Sequence, residues 1–322
     1  MTGSVDILVK NTRIQYKFTI NRNITILKGD SATGKTTLID MIESFQQVGA
    51  DSGVEIHCSK KCVVISTYEW EMNLQRITDS IVFIDEGGTF VKSKEFAKAI
   101  QNTDNYYVLA TRAFIPTLPY SIKEVYGIKN TASNQYQQTT RLYSEFYPIY
   151  GRSMLLQKIE PPDLVIVEDS HSGYDFFKGV CSEFSIDCIS AEGKSNVFNK
   201  AYENRRKSIL LIADGAAFGS EIENILKLRQ NQQITIYLPE SFEWMILKSG
   251  LIKDVREIID NPQDYIESKD YFSWERFFTA LLIAQTEGSY LQYTKRSLNK
   301  VYLQPHEKQQ ILNVMPELDW NK

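Results

Sequence analysis

The chain has 322 residues, long for one domain and comfortable for two that each bury their own core. Its net charge of −4 excludes a globally basic surface, so contact with nucleic acid would have to rest on local patches. The start, MTGSVDILVK, lacks the layout of a secretion signal, FFTALLIA (277–284) is too short to span a bilayer, and four cysteines make no disulfide scaffold, which predicts a reduced, cytoplasmic protein with no membrane partner.

In chain order, VDILVK (5–10), IQYKFTI (14–20) and ITILKG (24–29) read as three short strands separated by polar turns. The third runs into a glycine-rich turn. After it, TTLIDMIESFQQV (36–48) carries Leu38, Met41, Ile42, Phe45 and Val48 at helical spacing. KCVVIST (61–67), SIVFIDEG (80–87) and YYVLATR (106–112) continue as strands, with helices over WEMNLQRI (70–77) and SKEFAKAIQ (93–101). This alternation predicts an α/β fold with a parallel sheet. Regularity breaks from Ala113 to about Glu160, where edge strands are expected to finish the first domain, and the prolines of EPPD (160–163) mark a boundary.

A second alternation follows, with strands LVIVED (164–169), SIDCISA (185–191), SILLIAD (208–214) and QITIYLP (233–239). Helices over 173–184, 194–206 and 220–230 lie between them, and SFEWMILKSG (241–250) closes the series. Beyond it, DVREII, WERFFTALLIAQ and EKQQILNVM are amphipathic helical segments. The expected domains are 1–158, a second Rossmann-like α/β domain over 159–250, and a helical C-terminal tail over 251–322.

Gly29, Asp30, Ser31, Ala32, Thr33, Gly34, Lys35 and Thr36 match G-x-x-x-x-G-K-[ST] between a strand and an amphipathic helix, the context that separates a phosphate-binding loop from a chance match. Glycines there let backbone N–H groups crowd around phosphates, and the helix presents its positive end. Lys35 is expected to reach the β- and γ-phosphates and to act in catalysis. Thr36 is expected to ligate Mg²⁺, with Thr37 adjoining the nucleotide. In SIVFIDEG four apolar residues bury a strand and Asp85 emerges at its C-terminal end, fit to hold Mg²⁺ through water. Glu86 next to it fits the general base that orients an attacking water; the plainer alternative is that both acids only cap the strand. Thr111 or Arg112, ending the next strand, could sense the γ-phosphate.

These residues resemble the P-loop ATPases of the additional-strand, catalytic-glutamate class, which includes AAA-type and ABC-type enzymes. The resemblance spans about residues 5–130 and rests on Gly29–Thr36, Asp85–Glu86 and the strand at 106–112. It implies a P-loop NTPase sheet with antiparallel strands leading into it, Mg²⁺-dependent ATP hydrolysis, and a homo-oligomer. The leading strands look like the ABC type, although about fifty residues separate Lys35 from Asp85 with no LSGGQ-like signature. Arg112, Arg141 and Arg152 are candidates for an arginine acting on the transferred phosphate. A kinase is the rival reading, but no lid with clustered arginines follows; a GTPase lacks the N-K-x-D motif.

In the second half, Glu168 and Asp169 end one strand and Asp214 another, so that carboxylates converge on one sheet edge as in a Mg²⁺ site. AEGKSN (191–196) adds a glycine turn with Lys194 and Ser195 opening a helix. The pattern resembles the TOPRIM fold, and the order of domains resembles the overcoming-lysogenisation-defect nucleases, in which an ABC-type ATPase precedes a TOPRIM domain. The resemblance makes Glu168 the family's glutamate and Asp214 the first aspartate of its D-x-D. The motif departs at its second aspartate, reading Asp214-Gly215-Ala216, with Glu221 or Glu223 as the nearest substitutes. Two functions follow as expectations. One is an ATP-gated nucleic-acid-processing enzyme of a mobile element or antiviral system, with DNA or RNA as partner; the other is a nucleotide-dependent switch whose second domain binds a protein.

Smaller features have plainer readings. HCSKKC sets His57, Cys58 and Cys62 near one another, where zinc is the sharp reading and buried cysteines the bland one, and Cys181 and Cys188 lie in the other domain. His171 follows Glu168 in a loop where a solvated histidine is the default. NRRK (204–207) reads as a helix cap and DYFSWERFF (270–278) as helix core.

Overall fold

A computed structural model describes residues 1–29, 33–132, 142–151 and 161–315. The chain divides into two compact units, Met1–Ile149 with Gln263–Phe272, and Tyr150–Pro262 with Ser273–Lys322. The C-terminal region is therefore shared between the units. Within the first, the Asn23 side-chain amide donates to the carbonyls of Ser268 and Tyr271 at 3.3 and 3.1 Å, and the Met1 ammonium pairs with Glu267.

The first unit runs β1 (Val5–Lys10), β2 (Ile14–Ile20), β3 (Ile24–Lys28), α1 (Lys35–Val48), β4 (Glu55–Cys58), β5 (Lys61–Val64), α2 (Trp70–Leu74), β6 (Ser80–Ile84), α3 (Lys94–Ala99), β7 (Tyr106–Thr111), β8 (Val125–Ala132) and β9 (Leu142–Pro148). Its sheet has nine strands in the order β4-β1-β2-β9-β8-β3-β7-β6-β5. The sheet is mixed, not parallel throughout: β1 pairs antiparallel with β2 and β4, and β8 with β9, while β8, β3, β7, β6 and β5 run parallel. SIVFI and YYVLAT are buried at every position, as strands of a parallel sheet covered on both faces must be.

The strands expected at the edge after Ala113 lie instead in the middle. β8 and β9 are inserted between β2 and β3, Ile26 facing Val125 and Ile14 facing Leu142. Polar residues in these strands suggested an edge, but position in a sheet is set by long-range pairing, which local composition does not carry. EIHC (55–58), too short to stand out in the sequence, is the edge strand β4.

β4 and β5 stand at opposite ends of the order, yet only Ser59 and Lys60 join them. Nine flat strands would span roughly 38 Å at the usual spacing, and this connection reaches about 11 Å, so the sheet has to curl. It curls over α1, which contacts β1, β4 and β5. Leu38, Ile39, Met41 and Ile42 fill that trough, each burial contributing about 1.5–3 kcal/mol. The helix begins after Gly34 in a left-handed conformation (φ +93°) and ends at Gly49 (φ +61°).

The second unit runs β10 (Leu164–Val167), α4 (Ser172–Glu183), β11 (Asp187–Ser190), α5 (Lys194–Glu203), β12 (Ile209–Ile212), α6 (Ile222–Arg229), β13 (Ile234–Tyr237), α7 (Phe242–Lys248), α8 (Arg256–Asp260), α9 (Trp274–Thr286) and α10 (Pro305–Leu312). Its four strands are all parallel, in the order β11-β10-β12-β13. The chain steps from β10 to β11 on one side and returns to β12 on the other, which puts a topological switch point at the C-terminal ends of β10 and β12. α9 packs on α7. Among the described residues no helix is long and apolar enough to cross a membrane.

Candidate functional site

In the first unit β7 lies between β3 and β6, so the three strands finish side by side, at Gly29, Arg112 and Asp85. Lys35 opens α1 and is 5 % exposed. Its ammonium donates to the Gly29 carbonyl at 2.5 Å and to Thr33 Oγ1 at 3.1 Å, folding the side chain back inside the turn. Asp30, Ser31 and Ala32 lie outside the described residues, as do Arg141 and Arg152. Thr36 is exposed on the first turn of α1.

Tyr16, on β2, braces this turn from below and was not legible as a site residue. Its phenol donates to the Gly34 carbonyl at 2.9 Å, and a Cβ on Gly34 would sit 2.9 Å from the Tyr16 hydroxyl oxygen. Burial pushes the phenol up to about 12, against hydrogen bonds from Thr37 and Ser144. An aromatic on a leading strand carries no local signal of such a role.

Asp85 follows β6, and its Oδ1 is buried with no hydrogen-bonding partner among the described residues. A buried carboxylate oxygen without a partner is costly, and a hydrated Mg²⁺ is a group that such an oxygen fits. Asp40, one turn along α1 from Thr36, has its carboxyl pushed up by burial and then by the charge of Asp85. Glu86 is ion-paired with Arg112, whose Nε lies 2.7 Å from Oε1. The predicted base and sensor are thus brought together. Thr111 is turned away, its hydroxyl donating to the Ala113 carbonyl at 2.7 Å. A cavity of about 500 Å³ opens elsewhere in this unit, beside the N-terminal starts of β6 and β7 and lined by Trp70, Thr78, Glu95 and Asp104, and contains none of these residues.

In the second unit Glu168 and Asp214 meet at the switch point: Glu168 Oε2 accepts the Asp214 backbone N–H at 2.9 Å. Burial pushes the Glu168 carboxyl up to about 7, with the charges of Glu275 and Asp169 adding and the Asp214 amide and Lys194 opposing. Asp214 is raised well above the usual carboxylate range by burial, then by Glu275 and Glu168. Asp169 is used structurally. Its carboxylate accepts the backbone N–H groups of Ser170, His171 and Gly173 at 2.8–3.2 Å, closing the turn into α4. His171 is a solvent-exposed residue of that turn.

The acids that surround Asp214 come from further along the chain. Glu243 on α7 is fully buried; its Oε1 accepts the Tyr293 hydroxyl at 2.7 Å and the Lys295 ammonium at 2.9 Å. Lys295 also lies 3.4 Å from Glu275 on α9. Burial works against its charge, but Glu243, Asp214 and Glu275 outweigh it and hold the ammonium protonated. Lys194 responds in the opposite sense, lowered by burial despite Glu168, Glu221 and Glu275, and donates to the Ala217 carbonyl at 3.2 Å. The available sequence signal was an acid set within an apolar helix, FEWMILK for Glu243 and WERFF for Glu275.

The proposed replacements for the missing aspartate are engaged elsewhere: Glu223 pairs with Lys227 at 2.9 Å and Glu221 accepts Ser220 Oγ at 3.0 Å. Ala216, at the missing position, is 3 % exposed. Gly215 is required because a Cβ there would come within 2.8 Å of the Leu238 and Pro239 carbonyls. Among the described residues no three His, Cys, Asp or Glu side chains stand in an arrangement that would hold a metal ion. Comparison with protein-family models, with curated proteins and with solved structures found no match for the chain.

Proposed function

We propose that the first unit binds ATP with Mg²⁺ and hydrolyses it. One observation carries this reading: Gly29, Arg112 and Asp85 finish three adjacent parallel strands, with Asp85 Oδ1 buried and without a hydrogen-bonding partner among the described residues. Thr36 and Asp85 would hold the ion, whose positive charge offsets that developing on the β- and γ-phosphates. Lys35 would exchange the Gly29 carbonyl and Thr33 hydroxyl for phosphate oxygens. Glu86 would take the proton of the attacking water, and Arg112, once released from Glu86, would contact the γ-phosphate. The test is ATP binding and phosphate release by the wild-type chain, Lys35→Ala and Glu86→Gln. Binding lost in the first and hydrolysis lost with binding kept in the second is the expected pattern. Transfer of phosphate to an acceptor with little hydrolysis would support a kinase instead, and wild-type chain that binds no nucleotide would end the proposal.

For the second unit the TOPRIM-like strand ends support a nucleic-acid-related activity gated by ATP, in a mobile-element or antiviral setting. The competing reading, a switch that binds a partner without cleaving nucleic acid, is favoured by Lys295, an ammonium lodged among Glu243, Glu275 and Asp214. Cleavage of plasmid and single-stranded DNA with Mg²⁺ or Mn²⁺, with and without ATP, separates the two. Cleavage abolished by Asp214→Ala supports the nuclease, and none under any condition supports the switch.

A further inference from the structure

Cys58 ends β4 and Cys62 lies in β5, the two terminal strands of the nine-stranded order, with three residues between them. Strand alternation turns Glu55 and His57 outward, whereas Ile56 and Cys58, with Cys62 and Val64, pack against the core under α1. Both cysteines are free and partly accessible, and both pack against the same core cluster. The Lys60 backbone N–H also donates to Cys58 Sγ at 3.4 Å. The Cys62 thiol, then the Lys60 amide and ammonium, hold Cys58 down to about 7 against the opposing effect of burial, while Cys62 is pushed up by Cys58 and by burial. His57 faces away and pairs with Glu55 at 3.5 Å, so the cysteines do not form a zinc site with it.

Two free, partly accessible thiols with three residues between them on one side of the sheet, one of them accepting a backbone N–H, are placed as an attacking and a resolving cysteine. We propose that Cys58 and Cys62 form a dithiol site oxidised by hydroperoxides, closing to a disulfide that ties the two terminal strands of the sheet together. The Cys58 thiolate attacks one peroxide oxygen, the O–O bond breaks, and the leaving oxygen takes up a proton as water or alcohol. Cys58 becomes a sulfenic acid. The Cys62 sulfur then attacks the Cys58 sulfur, the S–O bond breaks, and hydroxide leaves with the Cys62 proton as water. Two thiols together lose two electrons and two protons, and the peroxide is reduced by the same amount.

The second unit supplies an internal comparison. Cys181 on α4 and Cys188 on β11 also lie near each other in sequence, but Cys181 is buried and Cys188 is pushed up by Cys181 and by burial. The experiment treats the full chain at pH 7 with increasing hydrogen peroxide, blocks the remaining thiols by alkylation, and maps bridges by non-reducing peptide mass spectrometry. A Cys58–Cys62 bridge is expected while Cys181 and Cys188 stay reduced. Untreated Cys58 should alkylate about tenfold faster than an ordinary thiol, in keeping with its larger thiolate fraction. In Cys62→Ala, Cys58 should accumulate as a sulfenic acid trapped by dimedone. Oxidation of Cys181 or Cys188 before the other pair, or bridging of Cys58 and Cys62 no faster than in the urea-unfolded chain, overturns the proposal without recourse to any variant.

Discussion

The carboxylate of Glu86 and the guanidinium of Arg112 form an ion pair at 2.7 Å, linking the residue that follows Asp85 to the end of the strand beside it. Their side chains are 35 % and 56 % exposed, so the pair contributes at most about 1 kcal/mol and can be exchanged cheaply for another partner. Arg112→Ala should therefore leave the melting temperature nearly unchanged. If Arg112 moves from Glu86 to the γ-phosphate, the same variant should lose roughly tenfold in its preference for ATP over ADP, as the loss of one charge-assisted hydrogen bond implies. Titration with both nucleotides checks this. Glu86→Gln should bind ATP normally and hydrolyse it about 10²–10⁴-fold more slowly, read by phosphate release.

Tyr16 and Gly34 give a prediction about the loop rather than the chemistry. Tyr16→Phe keeps the packing of a fully buried ring but removes the hydrogen bond to the Gly34 carbonyl. It should cost about 1 kcal/mol in stability and weaken ATP binding severalfold. Gly34→Ala should be worse, because its φ of +93° disfavours any side chain and the new Cβ would meet the Tyr16 hydroxyl. Thermal unfolding alongside nucleotide titration measures both.

The raised Glu168 carboxyl predicts how stability depends on pH. In the unfolded chain this group ionises near the ordinary glutamate value, whereas in the fold burial moves it to about 7. Between those values the folded state holds more protons, so this group's contribution to stability falls as pH rises through the window. Glu168→Gln has no such dependence. Relative to wild type, the variant should gain stability between pH 5 and pH 8, by roughly 2–3 kcal/mol if no other group compensates. Urea unfolding at the two pH values provides the comparison.

Lys295 and the fully buried Glu243 form an ion pair at 2.9 Å in the second unit. Removing the cation alone, in Lys295→Met, leaves a fully buried carboxylate supported by the Tyr293 hydroxyl but no longer by a cation, at a cost of about 3–5 kcal/mol. Adding Glu243→Gln should recover most of that loss, since the buried charge is then gone as well. A double-mutant cycle by urea denaturation tests the coupling.

Much of this molecule was determined locally. The period-two strands, the apolar stripe of α1, the glycine turn before Lys35 and the acid after a buried run of four apolar residues are each written in contiguous stretches, because backbone period and turn chemistry act over a few residues. The convergence of Glu168 with Asp214 was legible for the same reason, as parallel strands end on one edge. What only the tertiary structure decided are the relations between distant stretches. The β8–β9 pair enters the middle of the sheet, Tyr16 reaches Gly34, Arg112 takes Glu86, and Lys295 enters a site whose acids lie 20 to 127 residues away in sequence. Such contacts depend on which surfaces are brought together when the sheet closes, and on charges that matter only once water has been excluded around them. Neither property belongs to any single segment of the chain.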